Sequence, residues 1–213
     1  MNNFLGIILR SVDYKEKDKL LTIATQNGIV TVLARGVRSS KAKLKAFTGV
    51  LTFGEFCVEE GKMGKILTNV DCEENFYNCW TDSQKYTAAL LCLEGYEKSF
   101  ASEEDAAEPF VTLLKVLKEI NYNNTLPAAL ALWFLLKIST LMGIDYRQIE
   151  QFDTKAVFFL EAMDKLNCSE IDSLELTIGK VADVLKYFYI LFENDYGIKL
   201  NITKRLINTL IEN

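Results

Sequence analysis

The stretch "LLTIATQNGIVTVLAR" occupies residues 20–35. Two apolar runs, 20–25 and 29–35, flank Gln26-Asn27-Gly28. Asn-Gly between such runs is a strong hairpin signal, because the tight turn needs positive φ, which Gly takes freely and Asn tolerates. In the second run Val30, Val32 and Ala34 lie on one face and Ile29 and Leu33 on the other. Both faces are apolar, which fits a strand covered on both sides. One face is expected to fill a barrel and the other to pack beneath a neighbouring domain.

The pattern extends outward from this hairpin. "FLGIILRSVDY" (4–14) reads as a preceding strand, and "VLTFGEFCVEE" (50–60) and "GKILTNVDCEENF" (64–76) as a second pair joined across Gly61 and Gly64. Gly54, inside the fourth strand, predicts a bulge or sharp coil. Five short curved strands in so few residues point to a small closed barrel of the OB-fold type. From about residue 82 the period becomes helical: Phe110, Leu113, Leu114, Leu117 and Ile120 recur at i, i+3, i+4, i+7, i+10. The only prolines, Pro109 and Pro127, suit the first turns of two helices. Gly143 suits the end of the second of these. Residues 179–197 read as a further helix closed by Gly197, and 202–213 as a terminal one; 145–177 carry no decisive pattern. The predicted class is α+β, with an OB-fold over residues 1–80 and an all-α domain over 81–213.

The composition, 49% apolar and 25% charged over 213 residues, is that of a globular chain with a core. The most apolar stretch, "LPAALALWFLLKISTLM" (126–142), includes Lys137, Ser139 and Thr140 and reads as a buried helix, not a membrane span. "MNNFLGII" lacks the positive region of an export signal. The five cysteines are odd in number and form no C-x-x-C, so free thiols in a reducing cytoplasm are expected. Histidine is absent, which excludes Ser-His-Asp triads, Cys-His pairs and H-E-x-x-H zinc sites. There is no G-x-G-x-x-G and no complete Walker A; "GKMGK" (61–65) reads as a hairpin turn. The S-x-x-K at Ser40 and Lys43 lacks the partner motifs that give it chemical meaning. Acidic groups such as Glu59/Glu60 and Asp71/Glu73/Glu74 are read as solvated strand ends. No catalytic residue, metal site, cofactor or small-molecule substrate is expected.

One segment stands apart. The chain carries 24 basic and 29 acidic side chains, a net charge of −5. Yet residues 35–45 hold Arg35, Arg38, Lys41, Lys43 and Lys45 with no acid between them. Several cations along one path suit phosphate contact, where counterion release supplies affinity. Lys17 and Lys19, in the first strand connection beside Tyr14 and Lys15, are secondary candidates, diluted there by Glu16 and Asp18. A solvated loop is the competing reading. Phe47, just beyond the run, is expected in the core and not as a stacking platform. Residues 1–80 carry 11 Lys/Arg against 9 Asp/Glu and the remainder 13 against 20, which suggests different partners for the two halves.

Residues 6–56 resemble the N-terminal region of the bacterial RecO family of recombination mediators. The resemblance rests on the Y-x-E-x-D-x-L-L-T stretch (Tyr14, Glu16, Asp18, Leu20, Leu21, Thr22), on Gly28, and on "ARG-x-R" (Ala34, Arg35, Gly36, Arg38) continued by Lys41 and Leu44. More loosely, 185–207 resemble the family's closing helix. Many members carry a four-cysteine zinc module between helical segments. This chain has only Cys168 there, so no zinc is expected. The resemblance implies an OB-fold followed by helices. It implies binding to single- and double-stranded DNA, annealing of complementary strands, and work with RecR in loading RecA onto strands coated by single-strand binding protein. It also implies docking of that protein's acidic-apolar tail on the helical domain and a cytoplasmic, nucleoid-associated location. Arg35, Arg38, Lys41, Lys43 and Lys45 are the implied phosphate contacts. The alternative is a protein-interaction scaffold of the same fold without a DNA-binding role.

Overall fold

The structure, a computed structural model, describes residues 2–62, 64–100, 106–148, 153–194 and 196–211. Five strands, β1 (Asn2–Tyr14), β2 (Asp18–Thr25), β3 (Gly28–Ala34), β4 (Phe53–Gly61) and β5 (Gly64–Glu74), close into a barrel in the order β1-β2-β3-β5-β4. This is the OB-like barrel expected from the strand pattern. All pairings are antiparallel except β3 with β5, which run parallel through Val32/Lys65 and Leu33/Ile66.

The hairpin that led the reading is present. Thr25 pairs with Gly28, and the Thr25 hydroxyl donates to the Gly28 carbonyl (2.9 Å) while accepting from the Asn27 N–H (3.1 Å). Val30, Val32 and Ala34 turn inward and join Ile8, Leu21, Ile23, Phe56, Val58, Leu67 and Val70 in the interior. Each fully buried aliphatic side chain contributes on the order of 1.5–3 kcal/mol relative to exposure.

Closure depends on β1. Its residues 2–7 pair with β4 and residues 6–14 with β2, so Gly6 and Ile7 have a strand on both sides. A register shift between Ile8 and Arg10 coils the strand further. On the neighbouring strand Gly54 pairs with Gly6, and the β4–β5 register also shifts there. A Cβ on Gly54 would stand 2.1 Å from the Asp71 carbonyl oxygen, far inside contact distance, so only glycine lets the two backbones meet there.

The helices are α1 (Tyr77–Thr81), α2 (Ser83–Ser99), α3 (Ala107–Tyr122), α4 (Pro127–Leu141), α5 (Thr154–Asp164), α6 (Ile178–Asn194) and α7 (Asn201–Ile211). Of the expected i, i+3, i+4 face of α3, Phe110, Leu113, Leu117 and Ile120 are at most 1% exposed and Leu114 is half-buried. Pro109 and Pro127 lie in first turns, and Gly143 ends α4 with its N–H bonded to the Thr140 carbonyl. The helix read over 179–197 stops at Asn194, ahead of Gly197. α4 is the buried helix expected, and α2, α5 and α6 pack against it. Glu94 on α2 caps the start of α7, accepting from the N–H groups of Asn201 (3.0 Å) and Ile202 (2.8 Å).

Within the segment without a decisive pattern, the described residues form a 3₁₀ turn, Tyr146–Gln148, then α5 and a second 3₁₀ turn, Cys168–Ser173. Asp153 caps α5 by accepting the Ala156 N–H at 2.7 Å. Asn167 and Glu170 form a reciprocal capping box that starts the second turn and buries Cys168 and Ile171. Burial pushes the Cys92 and Cys168 thiols up, so both are protonated packing groups. None of the five cysteines forms a disulfide among the described residues. Met1–Phe76 with Phe100–Phe110 form one compact unit, and Tyr77–Ser99 with Val111–Asn213 the other. Among the described residues, no helix is long and apolar enough to cross a membrane.

The contact at Gly54 sets a first prediction. Gly54→Ala forces β4 and β5 apart and lowers unfolding stability by about 2 kcal/mol, the scale of an overpacked core. Chemical denaturation read by far-ultraviolet circular dichroism measures it; a stability change within about 0.5 kcal/mol, as at an ordinary surface site, contradicts the close approach.

Candidate nucleic-acid interface

β3 and β4 are not neighbours in the barrel, since β5 lies between them. The chain from Arg35 to Thr52 therefore has to cross one end of the barrel, and the acid-free basic run is the first part of that crossover. The run is folded, not loose. Val37, 2% exposed, belongs to the barrel interior, and Leu44 packs against the same cluster. Successive tight turns follow: Ser39 N–H to the Gly36 carbonyl (3.1 Å), Ala42 N–H to Ser39 (3.1 Å) and Lys45 N–H to Ala42 (3.3 Å). They lead through a 3₁₀ turn, Lys43–Phe47, whose exit is fixed by the Ser11 hydroxyl donating to the Thr48 carbonyl at 2.7 Å.

The crossover is locked to the β1–β2 connection. Asp18 accepts the Gly36 N–H at 2.8 Å, and the Arg38 N–H donates to the Lys17 carbonyl at 2.9 Å. The Arg38 guanidinium donates to the carbonyls of Lys15 and Glu16, both at 3.1 Å, and pairs with Asp13 at 2.9 Å. Gly36 has φ +67°, a left-handed conformation that a side chain at this corner disfavours. The motif glycine thus shapes the corner, and the motif aspartate and second arginine hold it.

This arrangement divides the sequence-predicted cations. Arg38 is engaged on three sides by its own chain, so its role in the fold is that of a clamp. Arg35, Lys41, Lys43 and Lys45 are exposed, and none forms an ion pair among the described residues. Lys17 is exposed on the connection that Arg38 clamps, and Lys19 is half-buried on β2, paired with Ala34 beside Arg35. Lys15 lies in the same connection, its Nζ 5.2 Å from the Tyr14 ring centroid. Of the two acids that dilute this surface in sequence, Asp18 binds a backbone amide and Glu16 is exposed, while Asp13 pairs with Arg38. Among the described residues the four exposed crossover cations form no ion pair with any of them.

Phe47 differs from expectation. It is 36% exposed, and the 3₁₀ turn buries none of its residues fully. The core positions of the segment are Val37 and Leu44 instead. Their signal in the sequence was two aliphatic residues inside an otherwise polar run.

Residues 1–76 match the family described as Recombination protein O N terminal. The chain is similar to the DNA repair protein RecO of Clostridium perfringens, at 32% identity over 67% of this chain and 58% of that protein. It is similar to the DNA repair protein RecO of Staphylococcus haemolyticus, at 30% identity over 65% of this chain and 55% of that protein. The match thus spans somewhat more than half the length of these two relatives. A third similarity, to the DNA repair protein RecO of Staphylococcus saprophyticus, is weaker at 23% identity but runs over 96% of this chain and 95% of that protein.

The clamp makes a second prediction. Asp18→Ala removes the acceptor for Gly36 and costs about 1 kcal/mol, the usual value of one hydrogen bond. Its sharper signature is local: amide hydrogen exchange accelerates across residues 36–45 while the β2 and β3 amides stay protected. Asp18→Asn keeps a carbonyl acceptor and retains most of the protection. Equal acceleration throughout the barrel, or none in the crossover, contradicts the clamp.

Proposed function

The chain belongs to the RecO family, and on that premise we propose that it is a DNA repair and recombination mediator, not an enzyme. It binds single- and double-stranded DNA and anneals complementary strands. With RecR it helps RecA load onto strands coated by single-strand binding protein, in the cytoplasm at the nucleoid. The observation that carries the reading is the set of four exposed cations, Arg35, Lys41, Lys43 and Lys45, without ion-pair partners among the described residues, on a folded crossover whose basic run contains no acid. Lysine and arginine held along one path displace the counterions condensed on a phosphate backbone, and the released ions supply the affinity. The barrel unit carries this contact, with Lys17 and Lys19 at its margin. Arg38 contributes by fixing the loop that presents the others. The more acidic remainder of the chain takes the protein partners.

The reading requires salt-sensitive, weakly sequence-selective binding. With about four phosphates neutralised on a single strand, the slope of log affinity against log salt is about −3. Fluorescence anisotropy with a labelled oligonucleotide measures it. Charge reversal at Arg35, Lys41, Lys43 and Lys45 abolishes binding and annealing while circular dichroism stays native. Absence of binding at low salt, or a slope near zero, removes the DNA role. The protein-interaction scaffold is then the better reading, supported by the 13 basic against 20 acidic residues of 81–213.

A further inference from the structure

Phe47 ends the same 3₁₀ turn that carries Lys43 and Lys45. With three residues per turn, side chains at i and i+3 eclipse, so Phe47 stands in line with Leu44. Leu44 packs against the barrel interior, which places Phe47 at the rim where the turn meets the barrel. The residue is about one-third open to solvent and two-thirds covered. That combination suits a stacking surface: the covered part fixes the ring, and the open part can meet a flat, apolar face. Its immediate charged neighbours in the chain are cations without ion-pair partners among the described residues.

We propose that Phe47 is a base-stacking residue, so that the crossover reads unpaired bases as well as phosphates. The inference rests on the DNA-binding reading and deepens it. Lysines alone respond to the phosphate backbone, which single strands, duplexes and strands stripped of bases all possess. An aromatic ring beside them adds a contact available only where bases are unstacked and accessible, and it is sequence-tolerant because every base has a π-face. The occupant is therefore a single-stranded nucleic acid: its phosphates meet Lys43 and Lys45 and one base lies on Phe47. Duplex DNA, with its bases stacked on each other, uses the cations alone. Preference for unpaired strands thereby resides in one side chain.

The test uses the full chain and three labelled probes: an oligothymidylate, an abasic strand of the same length, and a duplex. Phe47→Leu keeps apolar packing and removes the ring. It weakens oligothymidylate binding roughly 5- to 100-fold, the span of one lost stacking contact. Binding to the abasic strand and duplex, and the salt slope, stay as in the parent. Phe47→Trp restores oligothymidylate binding, and its tryptophan fluorescence is quenched by oligothymidylate but not by the abasic strand. If Phe47→Leu and Phe47→Trp bind all three probes as the parent does, the stacking role is overturned while the phosphate reading stands. If both variants lose all three probes together, Phe47 acts only through folding and the inference is again overturned. If the parent itself binds none of the probes, the proposed function falls, and this inference with it.

Discussion

Closing a five-stranded sheet leaves no free edge, and that closure determines the rest of the N-terminal unit. A sheet edge exposes unpaired N–H and C=O groups, and joining first to last removes it. Here the join is β1, long enough to serve β4 with one end and β2 with the other. Closing in the order β1-β2-β3-β5-β4 separates β3 from β4. Their connection cannot be a short hairpin and has to cross the barrel end. A crossing chain meets the open end of the apolar interior, so it needs residues that cover it. Val37 and Leu44 supply them. Thr48, Leu51 and Thr52 are buried as the chain returns to β4, and the positions left facing water include Arg35, Lys41, Lys43 and Lys45.

The same constraint explains why two separated sequence patterns form one signature. Tyr14 ends β1, Glu16 lies in the β1–β2 connection and Asp18 opens β2, while Ala34 ends β3 and Arg35, Gly36 and Arg38 start the crossover. Asp18 and the carbonyls of residues 15, 16 and 17 satisfy donors of Gly36 and Arg38. The corner is compact because Gly36 takes a positive φ, and the hydrogen bonds make that conformation the stable one. A partly exposed pair such as Arg38–Asp13 adds only a few tenths to about 1 kcal/mol by itself. Three further hydrogen bonds around it turn a weak ion pair into a geometric clamp.

The strand pattern was legible because local chemistry and global topology agree. Asn-Gly marked the turn, which Gln26 and Asn27 make with Gly28 opening β3 at positive φ, and alternation along β3 separated its two apolar faces without saying which one turns inward. Gly54 was readable as an irregularity, though not as the point where a carbonyl comes within 2.1 Å of where a Cβ would sit. The roles inside the crossover were less accessible. Arg38 looks like Arg35 in sequence, and only folding brings it beside three backbone carbonyls and Asp13. Phe47 looks like a core residue because it is aromatic, yet the barrel end is already closed by smaller aliphatic groups. In 145–177 the caps at Asp153 and at Asn167 with Glu170 were present as signals, but the apolar runs between them are short. Asp153 also follows residues 149–152, which lie outside the described ones.

The acidic total and the basic crossover are compatible because charge acts locally. At physiological salt the screening length is about 8 Å, so a phosphate on Arg35, Lys41, Lys43 or Lys45 responds to its immediate surroundings far more than to the net −5. Two acids at the β1–β2 corner, Asp13 and Asp18, face donors of the crossover itself and so tighten it. Rigidity then adds to charge. A free loop that binds a strand loses backbone freedom of roughly 1–2 kcal/mol per ordered residue, which offsets part of each contact. Val37, Leu44, the linked turns and the Arg38 clamp impose that order during folding. The cations are thereby presented with only their side-chain freedom left to lose, which favours the proposed use of these four exposed charges on an acidic protein.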